Sequence, residues 1–327
     1  MSSALKLLSE SNAAKLWQNP YSYLSFEPCS NLHIKRVTKK WSHYAVDFPA
    51  VHPNDHAKNG TVHGEYFQPS GMDSAPLAIL VHGIGDYSVI PCKLLARDLV
   101  KKGIACFIPY LMFHSSRLPK VLRERMPSLT CEEWFEGHRT SVIDIRRVVD
   151  WTRGRAQIDQ EKIAVIGTSF GAYISAITMG IDQRIKAGVF VATGGNGEVI
   201  TWMNRINAIR KGATCTRAEC RHIHSHYPTY LDEVADKGFE NIIPAKQCFL
   251  NDTLTFASYL RKRPVLMLNA LWDEVIPRKA AVEFWERCDK PPIVWFPASH
   301  ATIWLWYPLI SRKIVRFVRS TFGMRDK

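Results

Sequence analysis

No run of apolar residues in this 327-residue chain comes near the roughly 20 needed to cross a bilayer. The longest, such as Val189-Phe190-Val191-Ala192, suit a buried strand. The opening stretch MSSALKLLSESNAAKLW lacks the continuous apolar core of a secretory leader, so the expectation is an intracellular, cytoplasmic protein. Acidic residues are in deficit, 30 against 43 Lys and Arg, for a net charge of +13. Yet there is no Lys/Arg block and no nucleic-acid fingerprint, so nucleic acid is not an expected partner. The basic residues read as a solvated face, with peripheral contact to an anionic membrane surface as the alternative. Cysteine is scattered: Cys29, Cys92, Cys106, Cys131, Cys215, Cys220, Cys248 and Cys288. Thiols so dispersed in a large chain read as reduced, not as a disulfide framework. Repeats, heptads and low-complexity tracts are absent as well. What remains, 46% apolar and 22% charged residues, is the balance of a folded globular protein.

Residues 1–29 are expected to form a helical and then irregular N-terminal segment. Short strand-like segments follow at 33–36, 43–48 and 60–68, divided by Pro, Asn and Gly. Leu77-Ala78-Ile79-Leu80-Val81 is a continuous apolar run bounded by Pro76 and His82-Gly83, the pattern of a strand buried on both faces. Thereafter helical spacing and apolar runs alternate. Helices are predicted at 92–102, 134–153, 172–179, 278–288 and 310–322, and strands at 104–109, 162–166, 186–191, 264–269 and 293–296. This alternation predicts an α/β fold with a mostly parallel central sheet covered by helices on both faces. The polar segment 196–260, rich in Arg, His and Cys, breaks the rhythm. It is expected to be a small cap inserted over the C-terminal edge of the sheet, between core segments 30–195 and 261–327.

Gly167-Thr168-Ser169-Phe170-Gly171 matches G-x-S-x-G between an apolar strand and a helix, the context that gives the motif meaning. A serine on such a turn is forced into strained backbone geometry, and its hydroxyl projects from the sheet edge. The helix start behind it offers unpaired N–H groups to a developing anion. A serine needs a base, and the base an orienting carboxylate. Asp273, with Glu274 as a neighbouring rival, follows the strand at 264–269. His300 follows the strand at 293–296. A glycine turn, His82-Gly83-Ile84-Gly85-Asp86, follows the first buried strand. It is suited to aim the Ile84 N–H, together with that of Phe170, at a carbonyl oxygen. His82 is expected to brace that turn. Neither phosphate-loop pattern is matched there.

With these residues in this order, the chain resembles the α/β-hydrolase superfamily over roughly residues 30–325. Within it the chain is similar to dienelactone-hydrolase-like and prolyl-oligopeptidase-like esterases, through Ala270-Leu271-Trp272-Asp273-Glu274-Val275-Ile276-Pro277 and Asn251-Asp252-Thr253-Leu254-Thr255-Phe256-Ala257. The resemblance implies the α/β-hydrolase fold and a serine hydrolase that cleaves carboxylic esters of small molecules without a cofactor. Dienelactone hydrolase carries a cysteine at the elbow, and epoxide hydrolases and haloalkane dehalogenases an aspartate. Ser169 therefore favours the ordinary serine esterase mechanism. Thioesters, lactones, lipids and peptides could be cleaved by the same machinery, and a non-catalytic ligand-binding member of the superfamily is the remaining alternative.

Four further side chains are candidate substrate contacts. His114 and Arg117 follow a buried strand and are expected at the pocket rim. Trp202 and Met203, with Ile206 and Ile209, recur at helical spacing in the cap and could face an acyl chain. The cap is entered through Gly194-Gly195-Asn196-Gly197, a stretch expected to flex as a hinge. Cys215, Cys220, His222, His224 and His226 fit no standard zinc spacing and read as polar surface, so no metal is expected. The oligomeric state is not encoded in any of these features.

Overall fold

The computed structural model describes residues 19–324 apart from 52–59, 86–87, 119, 127–128, 207–209, 211–212 and 214. The helix expected before residue 19, and Ile209, lie outside the described residues. Strands β1 (Asn31–Val37), β2 (Trp41–Pro49) and β3 (Thr61–Pro69) pair antiparallel. β1 is almost wholly exposed and carries Lys35 and Arg36, a charged edge that discourages another strand from adding. β3 pairs antiparallel with β5 (Ala105–Pro109). From there the sheet is parallel through β4 (Ala75–Val81), β6 (Ile158–Thr168), β7 (Ile185–Val191), β8 (Val265–Ala270) and β9 (Ile293–Phe296). The spatial order is β1-β2-β3-β5-β4-β6-β7-β8-β9. β4 lies between β5 and β6, so the chain doubles back over it, and the crevice at the C-terminal edge of such a reversal is where open α/β sheets place their sites.

Helices cover both faces because alternate residues of each parallel strand point opposite ways. Leu77, Ile79, Ile163, Val165 and Met267 enter one core, with α3 (Cys131–Trp151) and α4 (Phe170–Ile181). Ala78, Leu80, Ala164, Ile166 and Leu268 enter the other, with α1 (Ile90–Val100) and α10 (Tyr307–Thr321). Helix starts are earlier than the hydrophobic pattern predicts where polar chemistry decides them. α3 begins at Cys131 because Thr130 and Glu133 form a reciprocal capping box ahead of the apolar positions. The short α2 (Lys120–Glu124) precedes it. Among the described residues, no helix is long and apolar enough to cross a membrane.

The segment 196–260 contains α5 (Gly197–Met203), α6 (Arg217–His224), α7 (Tyr227–Lys237) and α8 (Thr253–Ala257), and α9 (Arg278–Arg287) follows β8. Tyr227, Leu231, Val234, Phe249 and Phe256 share one continuous core with Phe190 and Met267 of the sheet. The glycine-rich entry is not a loose hinge. Gly195 N–H donates to Ala280 O (3.0 Å), and Thr253 Oγ1 donates to Gly194 O (2.7 Å). The buried Asp252 carboxylate accepts the N–H groups of Asn196 (3.0 Å) and Gly197 (2.6 Å). A Cβ on Gly194 would meet the Ala280 main chain, and one on Gly195 the Leu254 and Thr253 side chains. Close approach, not freedom, is the reason for these glycines.

Two buried histidines tie the fold to pH. Burial pushes His82 and His138 down from 6.5 to about 4. The unfolded chain therefore takes up protons between about pH 6.5 and 4 that the folded chain refuses. Their contribution is full above pH 6.5 and is lost as pH falls toward 4, roughly 3 kcal/mol per histidine at the limit. Urea unfolding followed across this range should show stability declining with acid, and His138→Leu should make the decline shallower. A flat profile from pH 7 to 4.5 would contradict the burial of neutral imidazoles.

Candidate active site

Ser169 sits between β6 and α4 with φ 53° and ψ −121°, a conformation that costs an L-residue roughly 1–3 kcal/mol. The surroundings hold it there. Its N–H donates to Val191 O (2.8 Å), and its carbonyl accepts from Ala172 (2.9 Å) and Tyr173 (3.1 Å). A Cβ on Gly171 would collide with the carbonyls of Val81 and His82, and one on Gly167 with the Gly171 main chain and Ser175. Only glycine lets α4 approach β4 and β6 closely enough to project the hydroxyl at the sheet edge.

The other two expected residues reach the same point. His300 Nε2 lies 2.8 Å from Ser169 Oγ. Its Nδ1 lies 2.9 and 2.8 Å from the two Asp273 carboxylate oxygens. Asp273 Oδ1 also accepts the N–H groups of Val275 (2.9 Å) and Ile276 (2.7 Å), which fixes the carboxylate at the end of β8. Leu271 N–H donates to Phe296 O and Trp272 N–H to Ala298 O, so the loops carrying Asp273 and His300 are stitched together. Glu274, the rival acid, has a different contact: its Oε2 accepts the His300 main-chain N–H at 2.9 Å. It holds the histidine's backbone, while Asp273 holds its ring.

The turn after β4 lies against the elbow, since a Cβ on Gly83 would sit 3.6 Å from Ser169 Cβ and 3.5 Å from Thr168 O. His82 Nε2 accepts the Leu111 N–H (3.1 Å), which leaves Nδ1 as the protonated nitrogen, and Nδ1 donates to Gly83 O (2.8 Å). The Gly83 carbonyl and the Ile84 N–H belong to one trans peptide and point oppositely. His82 therefore turns the Ile84 N–H away from itself. At the first turn of α4, the Phe170 N–H has no intrahelical acceptor.

The expected rim residues are elsewhere. Arg117 is fully buried, donating through Nη1 to Tyr110 O (3.0 Å) and pairing with Asp144 on α3. His114 is buried too, stacked on Tyr110 at 4.2 Å and edge-on to His82 at 5.4 Å. Both brace the loop beneath the turn and do not face a pocket, because a buried guanidinium is stable only beside its carboxylate and carbonyl partners. Trp202 is half-buried on α5 beside α6, and its buried indole N–H has no hydrogen-bond partner among the described residues. Met203 is half exposed at the end of α5, near the Asp273 loop, where Arg205 N–H donates to Glu274 O (2.9 Å). His222 and His224 lie on helix α6 and His226 just beyond it. Successive even positions on a helix point about 200° apart, and among the described residues no three metal-ligating side chains converge.

Sequence reasoning missed the surroundings of Phe170. Phe113 (5.5 Å) and His138 (5.0 Å) meet its ring edge-on, and Trp134 packs on Phe113 (5.1 Å). These come from separate elements, and no local pattern links them. A cavity of about 480 Å³ lies between α7 and α9, lined by Tyr227, Leu231, Glu283 and Arg287 among others, and none of Ser169, Asp273 or His300 lines it.

The sequence model of the α/β-hydrolase fold family matches residues 76–213. Two uncharacterized proteins of Mycobacterium tuberculosis, from strains CDC 1551 / Oshkosh and ATCC 25618 / H37Rv, are each 24% identical over 258 residues, 75% of this chain. The chain spans about half, 53%, of the length of these curated relatives. Among solved structures, an acetyl xylan esterase from Paenibacillus sp. R4 superposes with a TM-score of 0.61 at 17% identity, covering 94% of this chain and 92% of that one. A cold-adapted esterase from an Arctic intertidal metagenomic library, bound to polyethylene glycol, does so with a TM-score of 0.58 at 16% identity, covering 88% and 98%. Acetyl xylan esterase 1 from Thermoanaerobacterium sp. JW/SL YS485 gives 0.58 at 14% identity over 93% of each chain. With its parallel sheet, its serine elbow and these likenesses, the chain has the α/β-hydrolase fold.

Proposed function

We propose that the protein is a serine hydrolase of carboxylic esters, with Ser169 as nucleophile, His300 as base and Asp273 as the orienting acid. The observation that carries this reading is the continuous chain Ser169 Oγ–His300–Asp273, with each link within 2.9 Å, mounted on a strained elbow. Esterases among the solved structures that share the fold support it. Asp273 on Nδ1 keeps the tautomer in which Nε2 is free to accept the hydroxyl proton. As Oγ bonds to the acyl carbon, its proton moves to Nε2 and the carbonyl oxygen becomes an oxyanion. The Phe170 and Ile84 N–H groups are the donors that receive it, and one such donor is worth about 10²–10³ in turnover. Collapse breaks the acyl C–O bond, and the Nε2 proton passes to the departing alcohol. Water then repeats the sequence on the acyl-enzyme, releasing the acid and restoring Ser169. Every proton has a named carrier, and the chemistry calls for no cofactor.

Ser169→Ala should abolish ester turnover and labelling by a fluorophosphonate without lowering the melting temperature. Retained turnover, measured on a panel of p-nitrophenyl esters, would overturn the assignment.

Asp273→Asn should reduce kcat by about 10⁴, the cost of the wrong imidazole tautomer in the serine protease template. Glu274→Gln should cost far less, since it keeps an acceptor oxygen for the His300 N–H. Kinetics with the two effects reversed would make Glu274 the orienting acid.

A further inference from the structure

We propose that the rim of the active-site crevice docks on an anionic lipid bilayer, so that the esters cleaved are those presented at such a surface. The substrate half of this inference rests on the hydrolase reading above; the docking half does not. Soluble proteins rarely expose large apolar side chains in a contiguous group without a partner. Here Ile84, Ile90, Leu94, Trp272, Leu305, Trp306 and Leu309 are all exposed, Leu305 at 80% and Trp272 at 65%. They come from the chain that follows the C-terminal ends of β4, β8 and β9, the same sheet edge that carries Ser169 and His300.

Hydrogen bonds bring these segments side by side. Ile90, Leu94 and Asp98 are spaced four apart and share one face of α1. Asp98 accepts from both Tyr307 (2.6 Å) and Ser311 (2.7 Å), which are likewise four apart on α10. These bonds set α1 beside α10, while Leu309, about 200° round the helix from both Tyr307 and Ser311, shares the outer face of α10 with Arg312 and Arg316. On the other side of His300, the Trp272 N–H bond to Ala298 O joins the Trp272 loop to the same rim.

Basic side chains lie on the same segments or next to them. Arg205 lies beside the Trp272 loop through its N–H bond to Glu274, Arg278 and Lys279 open α9, and Arg312 and Arg316 follow Leu309 on α10. All five are exposed. Lys279 is near Glu283 (3.7 Å), whereas the Glu274 carboxylate is engaged by the His300 N–H. Exposed apolar side chains, two of them tryptophans, on the same sheet edge as exposed cations complement an acyl layer beneath anionic headgroups.

Cosedimentation with phosphatidylcholine vesicles, with and without phosphatidylglycerol, tests the docking half, using Ser169→Ala so that no lipid is consumed. Binding should tighten at least about tenfold with the anionic lipid. Leu305→Asp/Leu309→Asp and Arg312→Glu/Arg316→Glu should each reverse at least about tenfold of it, while the same changes on the Ser169 background leave turnover of water-soluble p-nitrophenyl acetate unchanged. Leu305→Ser/Leu309→Ser, a milder replacement, should weaken binding in the same direction. Absence of binding to anionic vesicles, or binding indifferent to the Leu305 and Leu309 changes, overturns the proposal. So does self-association in sedimentation velocity that those changes abolish without any vesicle binding. Vesicle binding by a protein that hydrolyses no ester would sink the hydrolase reading and leave the docking surface standing.

Discussion

Contact between the first turn of α4 and the carbonyls at the end of β4 is the constraint on which the rest of the site depends. Gly171 lies so close to Val81 and His82 that no side chain could be accommodated. That closeness sets where α4 starts, forces Ser169 to positive φ, and leaves the Phe170 N–H at the edge of the sheet. A shift of the helix by one methyl radius would displace Ser169 Oγ from His300 Nε2, where 2.8 Å leaves no slack. The strain at Ser169 is met by three main-chain hydrogen bonds and by burial of Ala172, Ile174 and Ile177 behind it.

The remaining parts of the site are positioned by backbone contacts more than by side-chain packing. Asp273 is held by two N–H groups of its own loop, His300 by Glu274 through its main chain, and the Ile84 peptide by His82. Each support is short and directional, so each allows little angular freedom. His82 is useful in this role because it stays neutral: burial withholds the proton that would destroy its acceptor nitrogen, and the Leu111 N–H occupies that nitrogen. Beneath it, His114, Tyr110 and the Arg117–Asp144 pair connect the turn to α3. A polar chain thus runs from the interior of the helical layer to the edge of the crevice.

The segment 196–260 is bound into this arrangement at both ends. Asp252 grips Asn196 and Gly197, and the Arg205–Glu274 contact joins the end of α5 to the Asp273 loop. Burial of an ionisable acid is costly, and it raises the Asp252 pKa, yet three backbone N–H groups compensate the carboxylate. The segment's tyrosines and leucines complete the same core as the sheet.

Local chemistry was legible in the sequence alone. Buried parallel strands show as unbroken apolar runs, the elbow as glycines at fixed offsets around a serine, and Asp273 and His300 as polar residues that follow late strands. These are properties of a few adjacent residues, so sequence by itself determines the α/β alternation and which side chains could meet. Tertiary structure alone decided the rest. It placed Arg117 and His114 inside, because their partners Asp144 and His82 lie on distant elements that no spacing reveals. It pinned the Gly194–Gly197 entry by hydrogen bonds and close contacts, since a glycine's freedom in the unfolded chain says nothing about the neighbour that will fill its missing side chain. It also separated Asp273 from Glu274, adjacent in the chain and alike in charge, by giving one the imidazole and the other the backbone. That division depends on how two loops from different strands are stitched together, a long-range register that a linear sequence does not display.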